Sequence, residues 1–99
     1  MRFRFKTKRL LALYTQEKGA HKYPVQVIVA FFEAMAIIVA AHDERDLYAL
    51  KGLRFERLLG DRKGERSLRL GDQFRLIVTI EEDNQGKYLL IVGIEDYHK

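Results

Sequence analysis

The chain has no cysteine, which excludes disulfide staples and thiolate zinc sites and suits a cytoplasmic protein. It has one serine, Ser67, set in an alternating pattern with no glycine elbow, so a serine nucleophile is poorly supported. His21, His42 and His98 are scattered, with no second His or Cys at ligand spacing, and no metal or other cofactor is expected. Gly60 and Gly64 lie too close together for a phosphate-cradling loop, and no Lys-Ser/Thr pair follows them. No repeat or low-complexity segment is present. The N-terminal charges are not followed by an apolar run and a small-residue cleavage site, so no secretory signal is read. Acids are missing from residues 1–9, which carry Arg2, Arg4, Lys6, Lys8 and Arg9.

What is present fits one small domain spanning residues 1–99. The chain is 47% apolar and 32% charged, a globular balance rather than a disordered one. A net charge of +4 favours an acidic partner such as nucleic acid. The charge is localised: residues 76–98 carry only Lys87 against Glu81, Glu82, Asp83, Glu95 and Asp96.

Arg2-Phe3-Arg4-Phe5-Lys6 alternates strictly and predicts a short strand with both Phe rings inward. Thr7 is a candidate N-cap for a helix through Leu10, Leu11, Leu13 and Tyr14 that Gly19 ends. Pro24 stands where a first helical residue belongs. From Val25 to Ala41 only Gln26 and Glu33 interrupt an apolar run. The run is short for a membrane span and carries a carboxylate near its middle, so it predicts a helix buried on most sides. Val27, Ile28 and Val29 leave open a strand at its start. A domain this small rarely covers a helix all round, which leaves part of this surface for a partner. Asp43 or Asp46 can cap a short turn. The rest predicts sheet: Leu53, Phe55 and Leu58 alternate, Gly60–Gly64 turns, Leu68 and Leu70 point inward, and Gly71-Asp72 signals a hairpin. Phe74, Leu76, Val78 and Ile80 form one face of the next strand, with Arg75, Ile77 and Thr79 on the other. A last strand runs from Tyr88 to about Ile94. The order is strand, two helices and an antiparallel meander, an α+β fold with helices on one sheet face.

Between Lys51 and Arg75 eight cations, including Arg54, Arg57, Arg62, Lys63, Arg66 and Arg69, are interleaved with Leu and Phe. A folded, Arg-rich strand surface suits phosphate, since the guanidinium fork matches its oxygens and keeps its charge; a merely solvated charged face is the plainer alternative. Arg62, Lys63, Arg69 and Arg75, joined to Asp96-Tyr97-His98, can supply what RNA phosphodiester cleavage requires; a frayed polar terminus is the plainer alternative for the tail. Asp or His can take the 2′-hydroxyl proton, His or Tyr can protonate the leaving oxygen, and Arg or Lys can stabilise the phosphate. Tyr97 can also stack on a base.

Gly60-Asp61-Arg62-Lys63-Gly64, Arg66-Ser67-Leu68-Arg69-Leu70, Gln73-Phe74-Arg75-Leu76 and Asp96-Tyr97-His98, in that order, resemble the HigB or killer-protein branch of the RelE/ParE toxin superfamily. The resemblance is strong over about residues 50–98 and rests on element order before them. It implies a RelE-like fold and a ribosome-dependent endoribonuclease that cuts messenger RNA without a metal. It also implies a cognate helix-turn-helix (HigA-like) antitoxin forming a hetero-oligomer, and a cytoplasmic location with no membrane partner. By position, the resemblance makes Arg75, Asp96, Tyr97 and His98 the catalytic set and Arg69 an arginine found in many members. Arg62, Lys63, Arg66 and Arg69 are the candidate RNA-binding cations. Some members carry a His and a Lys before the GD turn, where this chain has Glu56 and Leu59. Glu56 is either an auxiliary base or, the reading favoured here, a salt-bridge partner of Arg54 or Arg57. Two rival functions stand beside this one: a non-catalytic ParE-like gyrase poison, and a plain nucleic-acid-binding module.

Overall fold

Phe3, Arg4 and Phe5 form the strand their alternation predicts, β1 (Phe3–Phe5), in a computed structural model that describes residues 1–62 and 64–97. The chain then enters α1 (Lys8–Gln16), where Thr7 caps by accepting a hydrogen bond from the Leu10 backbone N–H at 3.2 Å. The helix stops earlier than Gly19 suggests. Glu17 takes the left-handed conformation at φ 54°, and its N–H closes the last turn on Ala12 and Leu13 carbonyls.

The apolar run is helical throughout as α2 (Val25–Ala40), which closes the question of a strand at its start. Pro24 sits just before it, as its cap residue. Val27, Phe31, Ala34, Met35 and Ile38 form the buried stripe. As expected of a domain this small, the helix is not covered all round: Val25, Val29 and Val39 on its opposite side are 78%, 51% and 53% exposed. The cause is geometric, because one sheet and one neighbouring helix cannot surround a cylinder. No helix among the described residues is long and apolar enough to cross a membrane. Tyr14 of α1 joins the helices to the first strand. Its ring lies 5.3 Å from Phe5, 5.7 Å from Phe3 and 6.1 Å from Phe32, the last stacked.

A third helix, α3 (Glu44–Ala49), stands where only a turn is legible, and of the two candidate caps Asp43 serves it. The strand expected from Leu53 through Leu58 shrinks to β2 (Glu56–Arg57). Leu53 closes a 3-10 turn, and Arg54 follows at φ 50° in the left-handed region, which breaks the extended run. Then come β3 (Arg66–Leu70), β4 (Phe74–Asp83) and β5 (Gly86–Asp96). The sheet order is β1-β5-β4-β3-β2, with β1 parallel to β5 and every other pair antiparallel. The helices pack on the face carrying Leu68, Leu70, Leu76, Val78, Leu89 and Ile91.

β5 outruns its predicted end at Ile94. It reaches Asp96, and the Tyr97 N–H still donates to the Gln73 carbonyl. The pairing also steps from Val78↔Ile91 to Ile77↔Gly93, so Val92 is one extra residue, a β-bulge. Beyond the bulge Ile94 rejoins the core face, opposite Leu76, and Glu95 stands opposite Arg75 on the other.

Asp83, at the β4–β5 turn, anchors β1. It accepts from Arg2 at 2.8 and 3.1 Å and from Arg4 at 2.8 Å, and its pKa falls to about 2, chiefly through the Arg2 hydrogen bonds. A carboxylate depressed in the folded state stabilises above its unfolded pKa near ~4, and that contribution is lost as pH falls through the folded value. Asp83→Asn is therefore expected to lower the melting temperature at pH 7, with the gap to wild type closing as pH falls from about 4 to about 2. A gap that persists unchanged in that acid range would refute the role.

Candidate nucleic-acid interface

Among the described residues the α-helices pack on the core face of the sheet, and the sequence puts its chemistry on the other. Arg69↔Arg75 and Arg75↔Glu95 are direct cross-strand pairs, and Glu56↔Ser67↔Ile77 forms the adjacent row. Opposed residues in an antiparallel ladder share a face, so Glu56, Ser67, Arg69, Arg75, Ile77 and Glu95 lie together. Ile77 is fully buried and floors this surface.

Two arginines side by side repel, and their side chains part. Arg69 turns outward, donating from Nε to the Gly71 carbonyl at 2.8 Å and from Nη2 to Asp72 at 2.7 Å. Arg75 turns inward. Its Nε and Nη2 donate to Ser67 Oγ at 3.0 and 2.8 Å, and Nη2 also donates to the Arg54 carbonyl at 2.6 Å. Desolvation is the largest influence on this guanidinium and lowers its pKa, while Glu56 and Tyr97 act in the opposite direction. Both groups are thus electrostatic neighbours of Arg75.

The sequence-predicted residues separate into groups. Tyr97 continues the ladder past the Phe74↔Asp96 pair, and alternation puts it on the Arg75 face, where it is 41% exposed. Asp96 stands opposite Phe74, on the helix side, so the structure does not bring it to Arg75. His98 and Lys63 lie outside the described residues. Arg66, opposite Val78, also faces the helix side and donates to the Tyr48 hydroxyl at 2.9 Å. Arg62 reaches the Arg75 face already paired: Nη1 and Nη2 fork onto Glu95 at 2.8 and 2.6 Å, and Nε donates to Glu65 at 2.6 Å. Both carboxylates raise its pKa, Glu95 more than Glu65. For Glu56 the favoured salt bridge is a single approach to Arg54, at 4.0 Å, which leaves its carboxylate largely to solvent beside Arg75.

Sequence reasoning missed Ser67, Glu95 and the Arg54 carbonyl. Ser67 was legible as a dismissed nucleophile and as part of the Arg66–Leu70 motif, without a role of its own, and its register opposite Ile77 was the missing information. Glu95 was hidden by the bulge, which reverses the apparent alternation of β5. Among the described residues no group of three or more His, Cys, Asp or Glu is placed to hold a metal ion.

Comparison with known proteins bears on the family and the fold. The family model described as the RelE-like toxin of the type II toxin–antitoxin system HigB matches residues 3–93, ending before Asp96 and Tyr97. Toxin HigB-1 of Vibrio cholerae serotype O1 (strain ATCC 39315 / El Tor Inaba N16961) is 39% identical over 77 residues, covering 78% of this chain and 81% of that protein. The solved structure of a YoeB/ParE toxin from Agrobacterium tumefaciens superposes with a TM-score of 0.58 over 99% of this chain and 100% of that one. At 14% identity the latter supports the fold alone. With an N-terminal strand, helices on one face and an arginine-bearing sheet on the other, this chain belongs to the HigB-like family, RelE-like toxins of type II toxin–antitoxin systems.

Proposed function

We propose that the toxin is a ribosome-dependent endoribonuclease of messenger RNA, acting by general acid–base attack of the 2′-hydroxyl. The observation that supports this most directly is the guanidinium of Arg75, held on an open sheet face beside Glu56 and Tyr97. In the proposed reaction Glu56 takes the 2′-hydroxyl proton, and the 2′-oxygen attacks phosphorus to form a 2′,3′-cyclic phosphate. The P–O5′ bond breaks, and the leaving 5′-oxygen takes a proton from Tyr97 or from His98 next to it. Arg75 stabilises the charge gathered on the phosphate. Asp96, on the helix side of β5, takes no proton-transfer role in this scheme. Its family implies a cognate antitoxin; we propose one of the helix-turn-helix type, encountered in the cytoplasm together with the ribosome and its message.

Primer extension on message in a ribosome-programmed reaction tests the proposal. Discrete cuts within codons support it. Intact message with broken DNA would favour a gyrase poison instead.

Affinity for RNA is expected to fall with salt, but gently. Arg62 and Arg69 are already paired with Glu95, Glu65 and Asp72, and Arg66 faces away. Neutralising only one or two phosphates gives a slope of log K against log salt of roughly −0.7 to −1.4 for single strands. A flat titration would rule out a phosphate-reading face, and a slope near −4 would show that the paired arginines release their carboxylates.

A further inference from the structure

Among the described residues Ser67 is the only polar one with a buried side chain, at 1% exposure, in a strand otherwise built of apolar and charged residues. A buried hydroxyl needs a partner, and its partner is the guanidinium of Arg75. Building on the cleavage reaction proposed above, we infer that Ser67 is a positioning residue, which with the Arg54 carbonyl locks Arg75 so that only Nη1 faces the scissile phosphate.

The hydrogen-bond inventory carries this. A guanidinium has five N–H groups, arranged so that Nε with Nη2, or Nη1 with Nη2, can grip two oxygens at once. Ser67 Oγ takes one hydrogen from Nε and one from Nη2. The Arg54 carbonyl takes an Nη2 hydrogen at 2.6 Å. Each two-pronged edge therefore has a member in use. Among the described residues Nη1 donates to nothing, and its two hydrogens remain for a ligand. Arg75 is thus not the free fork its residue type suggests; it is a fixed charge with one working nitrogen.

The backbone is shaped to the same end. Arg54 sits at φ 50° and ψ 51°, a conformation rare for a residue with a Cβ, immediately after the 3-10 turn that buries Leu53. Its carbonyl is thereby delivered to Arg75 across the gap where β2 fails to continue. Serine at 67 is the smallest side chain that offers an acceptor there. Alanine offers none, and the head of Arg75 would be free to swing toward solvent or toward Glu56. A transition-state contact that depends on placement is lost when its donor is free to move.

The test uses Ser67→Ala, Ser67→Thr, Arg75→Lys and the Ser67→Ala/Arg75→Lys double variant in the full chain, in ribosome-programmed cleavage. Each is also examined by 15N–1H spectroscopy of arginine Nε–H groups. Ser67→Ala is expected to lower kcat at least about tenfold with KM within about twofold, the pattern of an interaction made in the transition state. The Arg75 Nε–H is expected to exchange slowly in the wild type and fast in Ser67→Ala. Ser67→Thr, which keeps the acceptor, restores slow exchange and most of the turnover. In the Arg75→Lys background, Ser67→Ala changes kcat by less than about twofold, because what it positions is gone. Wild-type turnover by folded Ser67→Ala, an equal loss in both backgrounds, or unchanged Nε–H exchange would overturn the role. A wild-type protein that cuts no message would instead sink the cleavage reaction, and the positioning role with it; the exchange data would still report whether Ser67 holds Arg75.

Discussion

Arg75→Ala is expected to abolish toxicity while leaving a folded protein. Removing one preorganised donor from a developing oxyanion costs about 3 kcal/mol, roughly a hundredfold or more in kcat. The structural cost is smaller. Arg75 sits on the face opposite Leu76 and Phe74, so no core packing is lost, and the burial that disfavours its charge disappears with it. What remains is the Ser67 hydroxyl without its partner, a loss on the order of 1 kcal/mol. That corresponds to a melting temperature lower by several degrees in a domain of this size. The measurement pairs a growth assay and ribosome-programmed cleavage with a thermal melt. Full toxicity from a soluble Arg75→Ala protein would remove this residue from the chemistry, and collapse of the fold would make it structural.

Phe31→Ala is the reverse case, with an effect of similar size seen in the fold. Phe31 has no exposed surface and meets Phe32 and Tyr14 edge-on, at 5.2 and 6.4 Å between ring centres. Truncating a buried Phe costs about 3–5 kcal/mol. A small domain has only about 5–15 kcal/mol to lose, so the melting temperature is expected to fall by more than about 10 °C. Val29→Thr, two residues earlier on the exposed side of α2, is the control and changes stability by less than about 0.5 kcal/mol. A Phe31→Ala melt within about 3 °C of wild type would show that α2 is not the spine of the core.

The two substitutions also mark what was legible beforehand. Strict alternation placed Phe3 and Phe5, the Thr7 cap was visible, and the apolar run located α2 to within a residue or two. Period-two patterns likewise set the faces of β3 and β4, and with them the side on which Arg75 lies. Position around α2 was not legible, because a run that is apolar at every position has no contrast from which to read a face. Nor was the end of the Leu53–Leu58 pattern, since nothing in Arg54 announces a left-handed backbone. The site suffered from the same limit. Residue type made Arg62, Arg66 and Arg69 equivalent cations, whereas cross-strand neighbours set them apart, one clamped by two glutamates, one against Tyr48 and one on Asp72.

The single extra residue at Val92 acts as a parity switch for the end of the chain. Leu89 and Ile91 face the helices, so an uninterrupted strand would continue inward with residues 93, 95 and 97. The bulge inverts that count: Ile94 goes in, and Glu95 and Tyr97 emerge on the face of Arg75. Were Val92 paired as an ordinary ladder residue, Glu95 and the Tyr97 phenol would be turned against the core, and Asp96 would stand on the Arg75 face in their place; deleting Val92 instead restores a regular ladder with the observed faces. Which side chains share the face of Arg75 is thus set by how the backbone is paired at the bulge, upstream of the polar terminus, and not by residue type.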